Sequence, residues 1–256
     1  MENLSVTERR ENILDILNEK GKVSVNSLSK QYGVSSVAIR TDLSELEKQG
    51  LLTRVHGGAI TNYKSYYDMS FVQRSNTNVA SKTQIAKKIN SMIKNNDTLI
   101  MNAGTTPIFV MREIVDKKVT ILTNSIALAL EGVKNPNFKI ILLGGDVDSN
   151  YQFTYGTSTI QSLEKYTADL VIMSVDGIDS NHGISTYYHH EADICRHMLM
   201  HAKKRIVAAD YSKIGKTSFA EIVKIDDIDV IVTDNSANNA CINALRNKNV
   251  EIIIAK

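Results

Sequence analysis

Between residues 5 and 60 apolar side chains recur at helical spacing in three short blocks, and two strand-like runs then flank a pair of glycines. Nothing else in the chain restricts the fold as strongly. The first block is expected to start at Thr7, an N-cap type with Glu8 in the positive first turn, and to end at Gly21; Ile13, Ile16 and Leu17 share one face. The second runs from Val25 to Tyr32 behind Ser24, and Gly33-Val34-Ser35 turns the chain into the third, since glycine adopts left-handed backbone without a Cβ clash. In the third, Ile39, Leu43 and Leu46 repeat at i, i+4 and i+7, so Ser36, Val37, Arg40, Thr41 and Ser44, entered through Ser35, lie away from the core or on its flank. Gly50 is expected to stop that helix, Leu51–Val55 reads as a strand, and Gly57-Gly58 reads as a hairpin turn leading to Ala59 and Ile60, with Arg54 and His56 on the resulting wing. A plain helical mini-domain satisfies the periodicity but not the spacing of turns and hairpin. The order is that of a winged helix-turn-helix, which places its third helix in a DNA groove.

Charge neither advertises nor opposes a nucleic-acid partner. Residues 1–60 hold 8 Lys/Arg and 8 Asp/Glu, so any basic surface must come from distribution, with Arg9, Arg10, Lys30, Arg40, Arg54 and His56 as its candidate members. Asp42 reads as a structural partner for a nearby arginine, because a carboxylate facing phosphates would be repelled.

The residues Arg9-Arg10, Ile13, Leu17, Gly21, Val23, Val25, Leu28, Val34-Ser35, Ile39-Arg40, Asp42-Leu43, Leu46, Gly50 and Arg54-Val55-His56-Gly57-Gly58-Ala59 resemble the DNA-binding domain of DeoR-family bacterial regulators. The resemblance implies double-stranded operator DNA as partner with Arg40 at its surface, on a phosphate or on a base, and the candidate contacts are Ser35, Ser36, Val37, Arg40, Thr41, Ser44, Arg54, His56 and Gly57. The chain departs from the family in carrying Thr41 where a second arginine usually precedes the aspartate, which removes a bidentate guanine reader from that position.

At 256 residues the chain has room for a reader of about 60 residues and a larger module. We expect domains at 1–60 and 79–256 joined by a linker at 61–78. That linker carries Tyr63, Tyr66, Tyr67 and Phe71, and is either a loop packed on its own domain or a docking hinge. No 18-residue apolar run or signal-like N-terminus is present, so the expectation is a cytoplasmic protein without a membrane partner. Cys195 and Cys241 lack any metal-ligand spacing and read as reduced thiols.

From Val79 helical and strand patterns alternate, with strands near Thr98–Met101, Val119–Leu122, Phe138–Leu143, Leu170–Val175, Arg205–Ala209, Val230–Thr233 and Val250–Ile254. Such alternation predicts a mainly parallel α/β sheet with helices on both faces, binding its ligand at the carboxyl ends of the strands. The loop Asn102-Ala103-Gly104-Thr105-Thr106 fits this best. Gly104 permits close approach, Pro107 suits the first helical position, and free amides at the helix start suit a phosphate; the plainer alternative is that Thr106 merely caps the helix. Thr123-Asn124-Ser125, Gly144-Gly145-Asp146, Asp176-Gly177-Ile178-Asp179 and Gly183-Ile184-Ser185-Thr186 read as further strand-end loops.

Together with Ala209-Asp210-Tyr211-Ser212-Lys213-Ile214-Gly215, these loops resemble the DeoR-family effector domain, similar in fold to ribose-5-phosphate isomerase-like sugar-phosphate enzymes. The resemblance implies a phosphorylated sugar effector held by Asn102, Ala103, Gly104, Thr105, Thr106, Asn124, Ser125, Gly144, Gly145, Asp176, Gly177 and Lys213. No cofactor is implied. An isomerase is the rival reading, since Asp176 to Asp179 resembles a catalytic carboxylate motif and Glu191 could act as base. The lysine- and glycine-rich loop expected next is replaced by Asn181-His182-Gly183-Ile184, which favours binding without turnover. His197 and His201 share a helix face, but two ligands do not make a metal site, and none is expected. Tyr187-Tyr188-His189-His190-Glu191 resembles its counterpart in DeoR-family regulators of amino-sugar operons such as those for N-acetylgalactosamine. One reader covers a half-site, so a homo-oligomer, dimer or tetramer, is expected. The sign expected is repression relieved by ligand, ligand-dependent activation being the same linkage reversed.

Overall fold

The computed structural model describes residues 5–20, 22–48, 51–60 and 71–256. The expected helix stops at Gly21 and Gly50, and the aromatic residues Tyr63, Tyr66 and Tyr67, lie outside the described residues. The chain forms two compact units, Met1–Arg74 and Ser75–Lys256.

In the first unit α1 spans Val6–Lys20, β1 Lys22–Ser24, α2 Val25–Tyr32, α3 Ser36–Lys48, β2 Thr53–Val55 and β3 Gly58–Ile60. The cap of α1 is Ser5 and not the expected Thr7. Ser-x-x-Glu spacing allows a reciprocal pair, in which the Glu8 amide donates to Ser5 Oγ (3.2 Å) and the Ser5 amide donates to the Glu8 carboxylate (2.9 Å). Ser24 caps α2 by accepting from Ser27 N, and Gly33 (φ 65°) ends it in left-handed backbone. Ser35 Oγ accepts the Ala38 amide at the start of α3. Ile13, Leu17, Val25, Leu28, Ile39, Leu43, Leu46, Leu52 and Ala59 form one core.

The wing differs from expectation in two ways. Its tip is His56-Gly57, with Gly57 at φ 80°, whereas Gly58 already belongs to β3. Gly58 is required because β1 pairs with β3, and a Cβ there would lie 2.0 Å from the Val23 carbonyl oxygen. The sheet order is therefore β1-β3-β2. Three residues, the last of them already the N-cap of α2, are too few to show period-two alternation, which is why β1 escapes sequence reasoning.

Beyond α4 (Phe71–Ser75), which lies in the stretch expected as linker, the second unit begins with α5 (Val79–Asn90), β4 (Thr98–Met101), α6 (Thr105–Glu113), β5 (Val119–Thr123) and α7 (Ile126–Gly132). It continues through β6 (Phe138–Leu142), β7 (Asp146–Asp148), β8 (Phe153–Tyr155), α8 (Thr157–Leu163), β9 (Ala168–Met173), β10 (Gly177–Asp179) and β11 (Gly183–Thr186). Then come α9 (His189–Met200), β12 (Ala202–Ala208), β13 (Ala220–Val223), β14 (Val230–Asp234), α10 (Asn239–Arg246) and β15 (Glu251–Ala255).

Seven strands form one parallel sheet in the order β15-β14-β12-β9-β4-β5-β6. Its central strands are buried on both faces. Ile100, Val171, Val207 and Ile231 join the cluster built with Ala192, Cys195 and Met198 of α9, while their neighbours Leu99, Ile172, Ile206 and Val232 are fully buried on the alternate face. The chain enters at β4, steps outward to β6, and returns to β9 on the other side of β4. The order therefore reverses between β4 and β9, where an open α/β sheet leaves a crevice at its carboxyl edge.

Two expected loops are strands. Gly177–Asp179 and Gly183–Thr186 pair antiparallel and join β13 in a small second sheet. Short Gly-, Ser- and Thr-rich runs carry turn composition, and only their pairing makes them strands. The β7–β8 hairpin was likewise not expected.

Candidate nucleic-acid interface and effector crevice

Ile39, Leu43 and Leu46 hold α3 to the core, while Ser35, Val37, Arg40 and Thr41 are exposed and Ser36 and Ser44 half-buried. Arg54, His56 and Gly57 are exposed on the wing, and Glu47 of α3 accepts the Arg54 amide (2.7 Å), tying wing to helix. Asp42 is 1% exposed and accepts from Arg9 Nε (2.7 Å) and Arg10 Nε (2.9 Å). Its structural role is as read from the sequence. Arg9 does not join the basic surface proposed for it, because it is buried against Asp42, and Arg10 is half-buried in the same pair. Lys30, Arg40, Arg54 and His56 remain exposed.

In the second unit the loops after β4 and β9 meet at the switch point. Asn102 bonds them twice, donating from Nδ2 to the Ser174 carbonyl (2.9 Å) and accepting the Ser174 amide at Oδ1 (2.8 Å). Gly104 passes so close to this junction that a Cβ would lie 1.6 Å from Ser174 Oγ. Gly104 is also the N-cap of α6 and has no side chain with which to cap it. Pro107 is thus the third helical residue and not the first, where its missing amide hydrogen is still no loss. The amides of Thr105 and Thr106, in the first turn, have no intrahelical acceptor and sit at the positive end of the helix dipole.

Asn124 accepts the Ala103 amide (3.1 Å) and donates to the Thr154 carbonyl (3.0 Å). Ser125 Oγ caps α7 by accepting the Leu128 amide. Asn102, Asn124 and Ser125 are fully buried and their side chains hold the loops in place, while Thr105 and Thr106 are buried beside them. Gly144 is exposed with open space around its Cα, whereas Gly145 (φ 149°) packs against Thr159 and Tyr155.

After β9, Asp176 accepts the Tyr187 amide (3.0 Å) and the Thr186 hydroxyl (3.1 Å) and lies 3.5 Å from the Lys213 ammonium. Thr186 Oγ1 is 2.7 Å from Glu191 as well. A Cβ on Gly177 would lie 2.6 Å from the Lys216 carbonyl, so this strand start also needs glycine. Burial, together with the Lys213 ammonium nearby, pushes Lys216 below the ordinary lysine range. The structure thereby brings Asp176, Thr186, Glu191 and Lys213 together.

Sequence reasoning missed an aromatic wall. Tyr151 meets Tyr188 edge-on (4.4 Å), Tyr155 stacks on His190 (4.7 Å), and Tyr151 and Phe153 share a buried cluster with Ala103 of the β4 loop. The alternation Tyr151, Phe153, Tyr155 is the signal that could have found it. His197 Nδ1 and His201 Nδ1 bond two different carbonyls, of Asp193 and Tyr166, and among the described residues no group of three or more potential ligands is placed to hold a metal ion. No helix among the described residues is long and apolar enough to cross a membrane.

A winged helix-turn-helix joined to an open α/β unit whose strand-end loops meet at the switch point has the architecture of a DNA reader carrying a sensor-type domain. Residues 9–65 match the DeoR-like helix-turn-helix domain and residues 77–235 the DeoR C terminal sensor domain. The chain belongs to the DeoR family of helix-turn-helix transcriptional regulators. It is similar to a putative aga operon transcriptional repressor of Escherichia coli O157:H7 (34% identity; 97% of this chain, 93% of the relative). It is also similar to the HTH-type transcriptional repressor GlcR of Bacillus subtilis (32%; 97% and 96%) and the glycerol-3-phosphate regulon repressor of Escherichia coli K12 (30%; 89% and 90%). Ribose 5-phosphate isomerase A of Methanocaldococcus jannaschii overlaps 54% of this chain and 55% of its own at 15% identity and a TM-score of 0.39, a likeness that carries no inference about chemistry.

Proposed function

We propose that the protein represses a sugar-utilisation operon, binding double-stranded operator DNA as a homo-oligomer through α3 and the wing, and is released by a phosphorylated sugar bound in the crevice between the β4 and β9 loops. The observation that carries the sensor half is the uncapped start of α6, where Gly104 leaves two amides and a helix dipole at the switch point of a parallel sheet. The names of the three relatives, all repressors and one of a glycerol-3-phosphate regulon, support the sign. The aga operon in one relative's name supports the branch that the Tyr187–Glu191 segment resembles.

The cluster around Asp176 favours a second reading, a sugar-phosphate isomerase, but it fits ligand binding better. Asp176 already accepts an amide and a hydroxyl and faces Lys213, so it is poorly placed to take a substrate proton and well placed to orient a sugar hydroxyl.

Fluorescence anisotropy on DNA from upstream of the protein's own gene, titrated with sugar phosphates and the unphosphorylated sugars, tests the reading. Release by one phosphorylated sugar alone is expected. Arg40→Ala should abolish DNA binding and keep effector binding, and Thr105→Ala the reverse. Tight binding unmoved by every sugar phosphate overturns the sensor half, and conversion of an aldose phosphate to its ketose overturns the non-catalytic reading.

A further inference from the structure

Val37 stands 66% exposed on the second residue of α3, one turn from Arg40 and Thr41. A β-branched apolar side chain in that place gains nothing from the core and is a poor helix former. Thr41 lies four residues on, along the same stripe of the helix. Its hydroxyl donates to the Val37 carbonyl (3.1 Å), so the proton that could have served a base edge is held on the helix backbone. The first turns of the helix thus present an isopropyl group and a threonine with no free donor, beside one guanidinium. Residues near the start of a recognition helix reach the base edges, and in the major groove the apolar group on those edges is the C5-methyl of thymine.

We propose that Val37, supported by Thr41, reads a thymine methyl in each operator half-site. The inference rests on the reading of α3 as the recognition helix. Arg40 supplies a charged contact next to it, and the apolar contact selects which base pair follows.

The test uses the full chain. The protected site upstream of its own gene is located by footprinting, and each thymine in it is replaced singly by deoxyuridine, which removes the methyl and leaves the pairing edge intact. At one position per half-site, affinity should fall about fourfold, the equivalent of one buried methyl group at ~0.8 kcal/mol. Replacing both half-site positions should multiply the losses, to about fifteenfold, since separated positions add roughly in free energy. Val37→Ala, which keeps only the Cβ methyl, should show a smaller preference for thymine over deoxyuridine than the parent, with circular dichroism confirming its fold. A protein that binds the site yet ignores every thymine methyl, or a Val37→Ala variant that stays as sensitive as the parent, overturns this proposal alone. A folded protein that protects no DNA overturns the reader assignment as well.

Discussion

Asp42 is a carboxylate set between two guanidinium groups in the reader, at 1% exposure. Its own attraction to Arg9 and Arg10 is offset by desolvation, so the pair adds little net stability. Removing one partner is different, because it strands buried charge at a cost of about 3–5 kcal/mol. Asp42→Ala should therefore lower the urea midpoint of the reader's unfolding and abolish operator binding without touching a residue at the DNA surface; an unchanged midpoint counts against the clamp. Cys195 gives a prediction of the opposite kind. Burial first, and Glu191 next, push its thiol well above the ordinary range, and its sulfur lies 3.5 Å from Asn102 Nδ2. A thiol-exchange reagent should modify Cys241, which is only half-buried, in the folded protein and reach Cys195 after unfolding; rapid labelling of both in native buffer contradicts this.

Between elements, close approach of backbones decides what can change. Gly58→Ala places a methyl against the Val23 carbonyl, a backbone atom that cannot swing aside, so β1 should separate from β3 and the reader's melting midpoint should fall by several degrees. At the start of β9, Asp169 accepts from Lys203 (2.8 Å) and from the amide (2.9 Å) and hydroxyl (2.7 Å) of Thr98 on β4. The Lys203 hydrogen bond leads in holding this carboxyl well below its usual 3.8. A depressed folded-state pKa contributes stability above the ordinary carboxyl pKa and loses it as pH falls toward the folded value. The stability gap between the parent and Asp169→Asn should be present at pH 7 and shrink on acidification below about pH 4. A gap that widens in acid refutes it.

What was legible in the chain divides along the same line. Long periodic segments such as α3 and α5 and the apolar runs of β9, β12 and β14 announce themselves, because each buries enough side chains to show its period. The three-residue strands β1, β7 and β10 do not, since a strand that short exists only through its partner. The crevice loops were found by composition, whereas the work of Asn102, Asn124 and Ser125 inside those loops, and the wall formed by Tyr151, Tyr155, Tyr188 and His190, depend on contacts that no local pattern encodes.

For the molecule as a whole, the function proposed above makes regulation a linkage between a DNA site and an effector site. An effector that changes operator affinity by a coupling of about 1–3 kcal/mol shifts it roughly 5- to 150-fold, and the operator must weaken effector binding by the same factor. Gly104→Ala forces a methyl onto Ser174 Oγ and should break the junction of the β4 and β9 loops, leaving a protein that holds operator DNA at all effector concentrations. Anisotropy with and without the effector checks this, and an inducible Gly104→Ala protein would show that the junction is not the site. Operator affinity should also fall linearly on a log–log salt plot, with a slope reporting how many phosphates Arg40, Arg54 and their neighbours neutralise.

The position of β4 in its sheet also has a bearing on synthesis. β4 pairs with β5 almost as soon as both exist, but its other partner begins at β9, where Asp169 meets Thr98 from 71 residues further along the chain. Local pairings form early and distant ones wait for loop closure. A chain leaving the ribosome therefore exposes every residue of its first unit, and even strands β4 to β6 of the sheet, before β9 arrives to complete the junction at Asn102, so the loops after β4 and β9 cannot meet until that later stretch has been made.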